Sequence, residues 1–244
     1  ALLQINEEGG YSNVVFHNLV TRNELSPQDT ALCSVLVYGA LERRLTLDHI
    51  IGAYSKTPVR KLTPAVREIL RISLYQLLYL EHIPDSAAVN EAVDLAKRYC
   101  KKQKNAAPLV NGVLRNAVRT KGTLKEPVSY AEKYSHPDEL ISLLKQNLPK
   151  GKLEPMLIAN NAAPQTVVQV NTLRITAAQL LLRLEREGVS AKPHGWMQDC
   201  LVLSGTGSLE NLPSFKEGLF YVQDPAAKLS VLCAKLPKEE IRVL

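Results

Sequence analysis

Thr63-Pro64-Ala65-Val66-Arg67-Glu68-Ile69-Leu70-Arg71-Ile72-Ser73-Leu74-Tyr75-Gln76-Leu77-Leu78-Tyr79-Leu80 is the stretch that decides the fold. A threonine at the N-cap followed by proline at the first helical position is a helix start, because proline supplies the right φ where its missing N–H costs nothing. Behind it, Val66, Ile69, Leu70, Ile72, Leu74, Tyr75, Leu77, Leu78 and Leu80 leave hardly any polar face. A helix that is apolar nearly all round belongs in the centre of a bundle.

The neighbouring segments supply partners for it. Ser26-Pro27 repeats the cap-and-proline device ahead of Val35, Leu36 and Val37. Asp85-Ser86 opens a further helix through Val89, Ala92, Val93 and Ala96, and residues 107–119 form another, with Val110, Val113, Leu114, Ala117 and Val118 on one face. From about 125 to 165 the chain stays helical but is punctuated by Pro127, Pro137, Pro149, Pro155 and Pro164, the pattern of a connector.

The pattern then changes. Thr166-Val167-Val168-Gln169-Val170-Asn171 alternates and is β-branched, as a strand should be. Thr176 caps a helix over 177–187 that ends at Gly188. Cys200–Leu203 and Leu219–Val222 are further strands, Asp224-Pro225 starts a helix to about Leu236, and Ile241-Arg242-Val243-Leu244 is expected as a buried strand. A helix followed by an apolar strand resembles the opening of an α/β domain that the chain does not complete. The expected fold class is mainly α: a helical bundle, then a small α/β subdomain, then the opening elements of a truncated third domain.

Composition sets limits. With 244 residues and 45% apolar side chains the chain can bury a real core. No apolar run approaches the ~18–20 residues of a membrane helix, and no cleavable leader opens the chain, so a cytoplasmic protein without membrane partners is expected. Cys33, Cys100, Cys200 and Cys233 form no close pair, and the five histidines show no metal spacing. Reduced thiols acting as small hydrophobes and no metal site are therefore expected. No cysteine sits beside an activating base, and Cys100 falls at a helix C-terminus, where the dipole disfavours a thiolate. Gly205-Thr206-Gly207 lacks a third glycine and is followed by Pro213, so a tight turn is expected rather than a dinucleotide site. Trp196 is expected as a packed or edge aromatic.

The charge of +6 is unevenly placed. Residues 95–125 contain Lys97, Arg98, Lys101, Lys102, Lys104, Arg115, Arg119, Lys121 and Lys125 and no acid. Helix-dipole compensation uses one or two cations, not nine, so a polyanionic partner suits the cluster. Asn111, Arg115 and Arg119, four residues apart, form one stripe that with Lys97, Arg98, Lys101, Lys102 and Lys104 could track a phosphate backbone. A merely solvated charge run on a protein-interaction bundle is the bland alternative.

Residues 65–119 also resemble a known family. Ile69–Leu80, Ile83-Pro84, Ala87-Ala88-Val89-Asn90-Glu91-Ala92-Val93 and Leu109-Val110-Asn111-Gly112-Val113-Leu114-Arg115 resemble a NusB-type RNA-binding domain, in the version fused to the front of bacterial 16S rRNA cytosine-5 methyltransferases of the Sun, Fmu or RsmB type. Tyr38-Gly39-Ala40-Leu41 and Leu47–Ile51 fit upstream. Ser135-His136-Pro137, Ala159-Asn160-Asn161, Val170-Asn171 and Gly218–Ala227 look like that enzyme's linker and small subdomain. The resemblance implies a NusB-like domain at 1–125, a helical linker at 126–165, a small α/β subdomain at 166–219 and the start of a truncated, Rossmann-like methyltransferase domain at 220–244. The chain departs from the family at Gln169, where a basic residue is usual, so no RNA contact is expected there. The implied partner is 16S rRNA and the implied cofactor of the complete protein is S-adenosylmethionine. The cofactor loop and both catalytic cysteines would lie beyond Leu244, so no catalytic or cofactor-binding residue is assigned and the chain alone is expected to be inactive. A non-enzymatic NusB-like transcription antitermination factor is the alternative; it would have no need of residues 166–244.

Overall fold

The computed structural model describes residues 1–234 apart from 122 and 124–126. The described chain forms two compact units, Ala1–Ala162 and Ala163 onward. The first is helical throughout: α1 (Leu2–Glu8), α2 (Ser12–Arg22), α3 (Pro27–Glu42), α4 (Arg44–Tyr54), a 3₁₀ turn (Val59–Lys61), α5 (Pro64–Tyr79), α6 (Asp85–Tyr99), α7 (Ala106–Arg119), α8 (Tyr130–Tyr134), α9 (Asp138–Asn147) and α10 (Leu153–Asn160).

The deciding stretch is α5, and it is the hub. It packs against α1, α3, α4, α6 and α7. Leu70 and Leu74 are fully enclosed, with Leu47, Ile51, Val110 and Leu114 around them. Each such side chain contributes about 1.5–3 kcal/mol through removal from water. α3 crosses α5 closely enough that a Cβ on Gly39 would overlap the Tyr75 ring, so only glycine fits there. Ser26 caps α3 as expected, its hydroxyl accepting from the Asp29 N–H at 3.1 Å. Thr63 does not cap α5; its hydroxyl donates instead to Gln103 Oε1 at 2.7 Å.

α5 also carries buried charge. Arg71 donates to both Asp48 oxygens from Nε (2.7 Å) and Nη2 (2.6 Å), and to Glu68 Oε1 from Nη1 (2.6 Å). Asn6 of α1 donates to the other Glu68 oxygen at 3.1 Å. Burial pushes the Glu68 carboxyl up, and the Arg71 and Arg67 guanidinium groups pull it back. The network ties α1, α4 and α5 together, and breaking it would leave a charge stranded in the core.

The proline-punctuated segment folds back on α4. The Leu45 N–H in the first turn of α4 donates to Ser135 Oγ at 3.0 Å, and Thr46 Oγ1 donates to the Glu132 carbonyl at 2.5 Å. Ser135 therefore caps a helix ninety residues earlier from a left-handed backbone conformation (φ 57°). Asn161 donates to the Tyr134 carbonyl at 2.8 Å, and Arg43 donates to the Asn161 carbonyl at 3.1 Å. The Ser135-His136 and Asn160-Asn161 motifs thus meet in one polar latch.

In the second unit β1 (Thr166–Val170), β2 (Ser190–Pro193), β3 (Cys200–Ser204) and β4 (Phe220–Val222) form one antiparallel sheet in the order β2-β3-β1-β4. Residues 220–222 pair with β1, so the small sheet extends past residue 219. α11 (Ala177–Arg186) lays Leu180 and Leu184 on Val168, Val170, Leu201, Leu203 and Phe220. Its start is a capping box, with Thr176 and Gln179 bonding reciprocally. Gly188 follows at φ 77°. Asn171 donates to the Gly218 carbonyl at 2.8 Å, closing the β1 end against the approach to β4. Glu187 caps the short helix α12 (Pro213–Lys216), accepting from Ser214 Oγ at 2.7 Å and from its N–H at 3.2 Å. Asp224 caps α13 (Pro225–Cys233) through the Ala226 N–H at 2.7 Å.

The expected strand at Ile241–Leu244 lies outside the described residues. Of the two placements expected for Trp196, packed or edge, the structure shows the second: it is 65% exposed at the β2–β3 turn, its ring edge-on to His194. The expectation of small buried thiols is corrected at one cysteine. Cys233 is exposed on α13, whereas Cys100 and Cys200 are buried as small hydrophobes.

Candidate nucleic-acid interface

α6 and α7 form an antiparallel hairpin around the turn at residues 100–105. Small residues on α6 (Ala88, Ala92, Ala96) let it approach Val110, Val113, Leu114 and Ala117 of α7 closely, and all are buried. Burying that face forces the polar faces outward, which exposes the cations.

The structure divides the basic stretch. Lys97, Arg98, Lys101, Lys102 and Lys104 gather at the turn and are all exposed. Lys101, Lys102 and Lys104 lie in the turn itself rather than on α6, which ends at Tyr99. Arg115 and Arg119 lie further along α7, at ~1.5 Å per residue about 14 and 20 Å from its start. Arg115 Nε donates to Asn111 Oδ1 at 2.9 Å, so this half of the stripe is pre-ordered. Arg119 Nη2 donates to Asn116 Oδ1 at 2.8 Å rather than continuing the row. Arg115 and Arg119 line a cleft of about 540 Å³ with Ser86, Asn90 and Asn116.

The stretch is acid-free along the sequence but not in space. Lys97 pairs with Asp94 at 2.9 Å, and Lys121 with Asp85 at 3.0 Å. Both pairs are exposed, so they contribute little to stability, but they neutralise two of the nine cations. Lys125 lies outside the described residues. Arg98, Lys101, Lys102, Lys104, Arg115 and Arg119 remain without an ion pair among the described residues.

Charge counting overlooks one residue here. Tyr99, the last residue of α6, is 63% exposed beside the lysine turn, with the Arg98 guanidinium 5.4 Å from its ring centre. It lines a cleft of about 500 Å³ with Leu3, Pro64, Arg98, Lys101 and Lys102. The available signal was an aromatic interleaved with basic residues, Lys97-Arg98-Tyr99-Cys100-Lys101. An exposed ring beside cations can stack on a base while the cations hold phosphate. Cys100 points inward, and burial pushes its thiol pKa up, which suits a packing role.

Gln169 is 6% exposed, and its Oε1 accepts from Cys200 Sγ at 3.2 Å, so it faces the protein. Gly205 and Gly207 have positive φ and lead into a 3₁₀ turn (Leu209–Asn211) and the four-residue α12. Among the described residues no helix is long and apolar enough to cross a membrane, and no group of three metal-ligating side chains comes together.

The NusB family matches residues 1–119, and the methyltransferase RsmF/B-like, ferredoxin-like domain matches residues 136–210. A probable ribosomal RNA small subunit methyltransferase B of Synechocystis sp. is 34% identical over 233 residues, covering 93% of the chain and 52% of the relative. Its counterpart in Bacillus subtilis is 32% identical over 249 residues, covering 100% and 55%. The chain spans about half the length of these curated relatives. A crystal structure of the protein PH0851 shares the fold with a TM-score of 0.58 at 18% identity, over 88% of this chain and 49% of that one. The chain therefore combines a match to the NusB family with a match to the methyltransferase RsmF/B-like, ferredoxin-like domain, and over most of its length it is similar to proteins named ribosomal RNA small subunit methyltransferase B.

Proposed function

We propose that this chain is the RNA-recognition portion of an S-adenosylmethionine-dependent methyltransferase that acts on C5 of a cytosine in 16S rRNA. The observation that carries the reading is the set of unpaired, exposed cations on the α6–α7 hairpin of a NusB-family domain. Arg98, Lys101, Lys102 and Lys104 hold phosphates at the turn, Arg115 and Arg119 hold them along α7, Lys97 and Asn111 flank the two groups, and Tyr99 stacks on an unpaired base.

Among the described residues, the glycine turn does not fit the methyl donor. The Gly205–Gly207 turn opens onto a 3₁₀ turn and a four-residue helix, which offers no sustained helix start for a bound cofactor. On this reading methyl transfer is assigned to residues outside this chain, and the chain by itself is expected to transfer no methyl group. The match of residues 136–210 to a methyltransferase domain favours this reading over a stand-alone antitermination factor.

Binding of the chain to 16S rRNA transcripts across a salt series tests the proposal. Each phosphate contact contributes about −0.7 to −0.9 to the slope of log K against log salt. Replacing Lys101, Lys102 and Lys104 by alanine is expected to weaken binding and flatten the slope, and Arg115→Ala with Arg119→Ala to do the same. Wild-type binding that is insensitive to salt would sink the reading.

A further inference from the structure

A second acid-free stretch lies in the same unit. Residues 49–67 carry Lys56, Arg60, Lys61 and Arg67 and neither Asp nor Glu. Arg67 turns to Glu7 and Glu68. Lys56, Arg60 and Lys61 remain exposed, and none is in an ion pair among the described residues.

This segment is held firmly. Ser55 and Thr57 bond reciprocally, with Ser55 Oγ donating to the Thr57 carbonyl at 2.7 Å and accepting from its N–H at 3.1 Å. The Lys61 N–H donates to the Pro58 carbonyl at 2.8 Å, closing the 3₁₀ turn, while Val59 packs on the core and Leu62 is buried. A turn fixed in this way presents its cations at little further cost in chain entropy.

It is also fastened to the lysine turn. The Thr63 hydroxyl forgoes its helix cap to bond Gln103, which sits between Lys102 and Lys104. Lys61, Gln103 and Asn105 line one small cleft of about 130 Å³. The α6–α7 turn therefore has basic residues on two sides: Arg115 and Arg119 far along α7, and Lys61, the neighbour of Arg60 in the 3₁₀ turn, beside it.

We propose that Lys56, Arg60 and Lys61 complete the RNA-binding surface, gripping phosphates of the strand that Lys101, Lys102 and Lys104 hold. The strand then crosses the end of the bundle between the 3₁₀ turn and the α6–α7 turn. Grouping seven like charges (Lys56, Arg60, Lys61, Arg98, Lys101, Lys102, Lys104) is self-repulsive without a polyanion, and a phosphate backbone relieves it. The inference rests on the RNA reading above.

The test compares wild type with the triple variant K56A/R60A/K61A on a fluorescein-labelled 16S rRNA transcript across a salt series. Losing three single-strand phosphate contacts should flatten the slope by roughly 2 and weaken binding at least about tenfold at low salt. Arg60→Lys keeps the charge and should keep the slope. Arg186→Ala, an exposed cation on α11, should leave it unchanged. Melting temperatures should match wild type, since the three side chains are exposed. A salt-dependent wild type whose slope the triple variant does not alter overturns this inference alone, as does an equal loss in Arg186→Ala. A wild type without salt dependence overturns the RNA reading and this inference with it.

Discussion

Asp48→Ala removes two hydrogen bonds of 2.7 and 2.6 Å from a guanidinium whose side chain is 8% exposed. Breaking a buried pair from one side costs about 3–5 kcal/mol when the remaining charge is stranded. Arg71 keeps Glu68 at 2.6 Å, itself 6% exposed, so the lower end of that range, ~3 kcal/mol, applies. The first unit runs from Ala1 to Ala162, and an unfolding entropy of ~2.1 cal/mol/K per residue gives it about 0.34 kcal/mol/K. The expected fall in Tm is therefore ~9 °C by calorimetry. Asp48→Asn, which keeps one acceptor, should lose roughly half as much. Asp48→Leu combined with Glu68→Leu and Arg71→Met removes all three charges and should be less harmful than Asp48→Ala, because no buried charge of the cluster is left without its partner. A fall of under ~2 °C for Asp48→Ala would show that Arg71 is adequately hydrated. A triple variant less stable than Asp48→Ala would refute the desolvation argument outright.

Two further perturbations separate packing from charge. Alanine for glycine inside a helix ordinarily stabilises by about 0.5–1 kcal/mol, yet Gly39→Ala places a methyl inside the Tyr75 ring and should destabilise by ~1–3 kcal/mol; Tyr75→Leu should recover much of the loss, and a Gly39→Ala protein that melts at or above wild type would refute the close approach. In the second unit, burial would raise the Glu187 pKa, but hydrogen bonds from Ser214 and Arg183 outweigh it and hold the carboxyl below its usual value. A depressed pKa contributes stability that is present above the unfolded value of ~4.3 and lost as pH falls through the folded one. The stability gap between wild type and Glu187→Gln in urea should therefore shrink between about pH 5 and pH 3, and a constant gap would contradict the assignment.

Helix and strand starts were legible where a single local device sets them. Ser26, Thr176 and Asp224 each cap the helix that their sequence context announces. Thr63 has the same local context, but its hydroxyl found a better partner forty residues away. Strand β2, Ser-Ala-Lys-Pro, carries no apolar alternation because it is an exposed sheet edge whose pairing is dictated by β3. α2 buries no residue, so it shows no core-facing stripe to read. For the interface, the cations were legible and their spatial neighbours were not. Asp94 and Asp85 enter through helix geometry and hairpin closure, and Lys61 through a cleft shared with Gln103, which Thr63 fastens by a tertiary hydrogen bond. Tyr99 was in plain view, but counting charge gives an aromatic no weight.

The long-range cap on α4 has a consequence for timing. At translation rates of roughly 5–20 residues per second, the ninety residues between Leu45 and Ser135 take about 5–18 s to synthesise. During that interval the first turn of α4 has only water for its Leu45 N–H. The residues that match the NusB family are all made before their bundle can close this bond, so the ribosome hands over a domain still awaiting this donor–acceptor pair. A protein truncated at residue 119 would stay in that immature state.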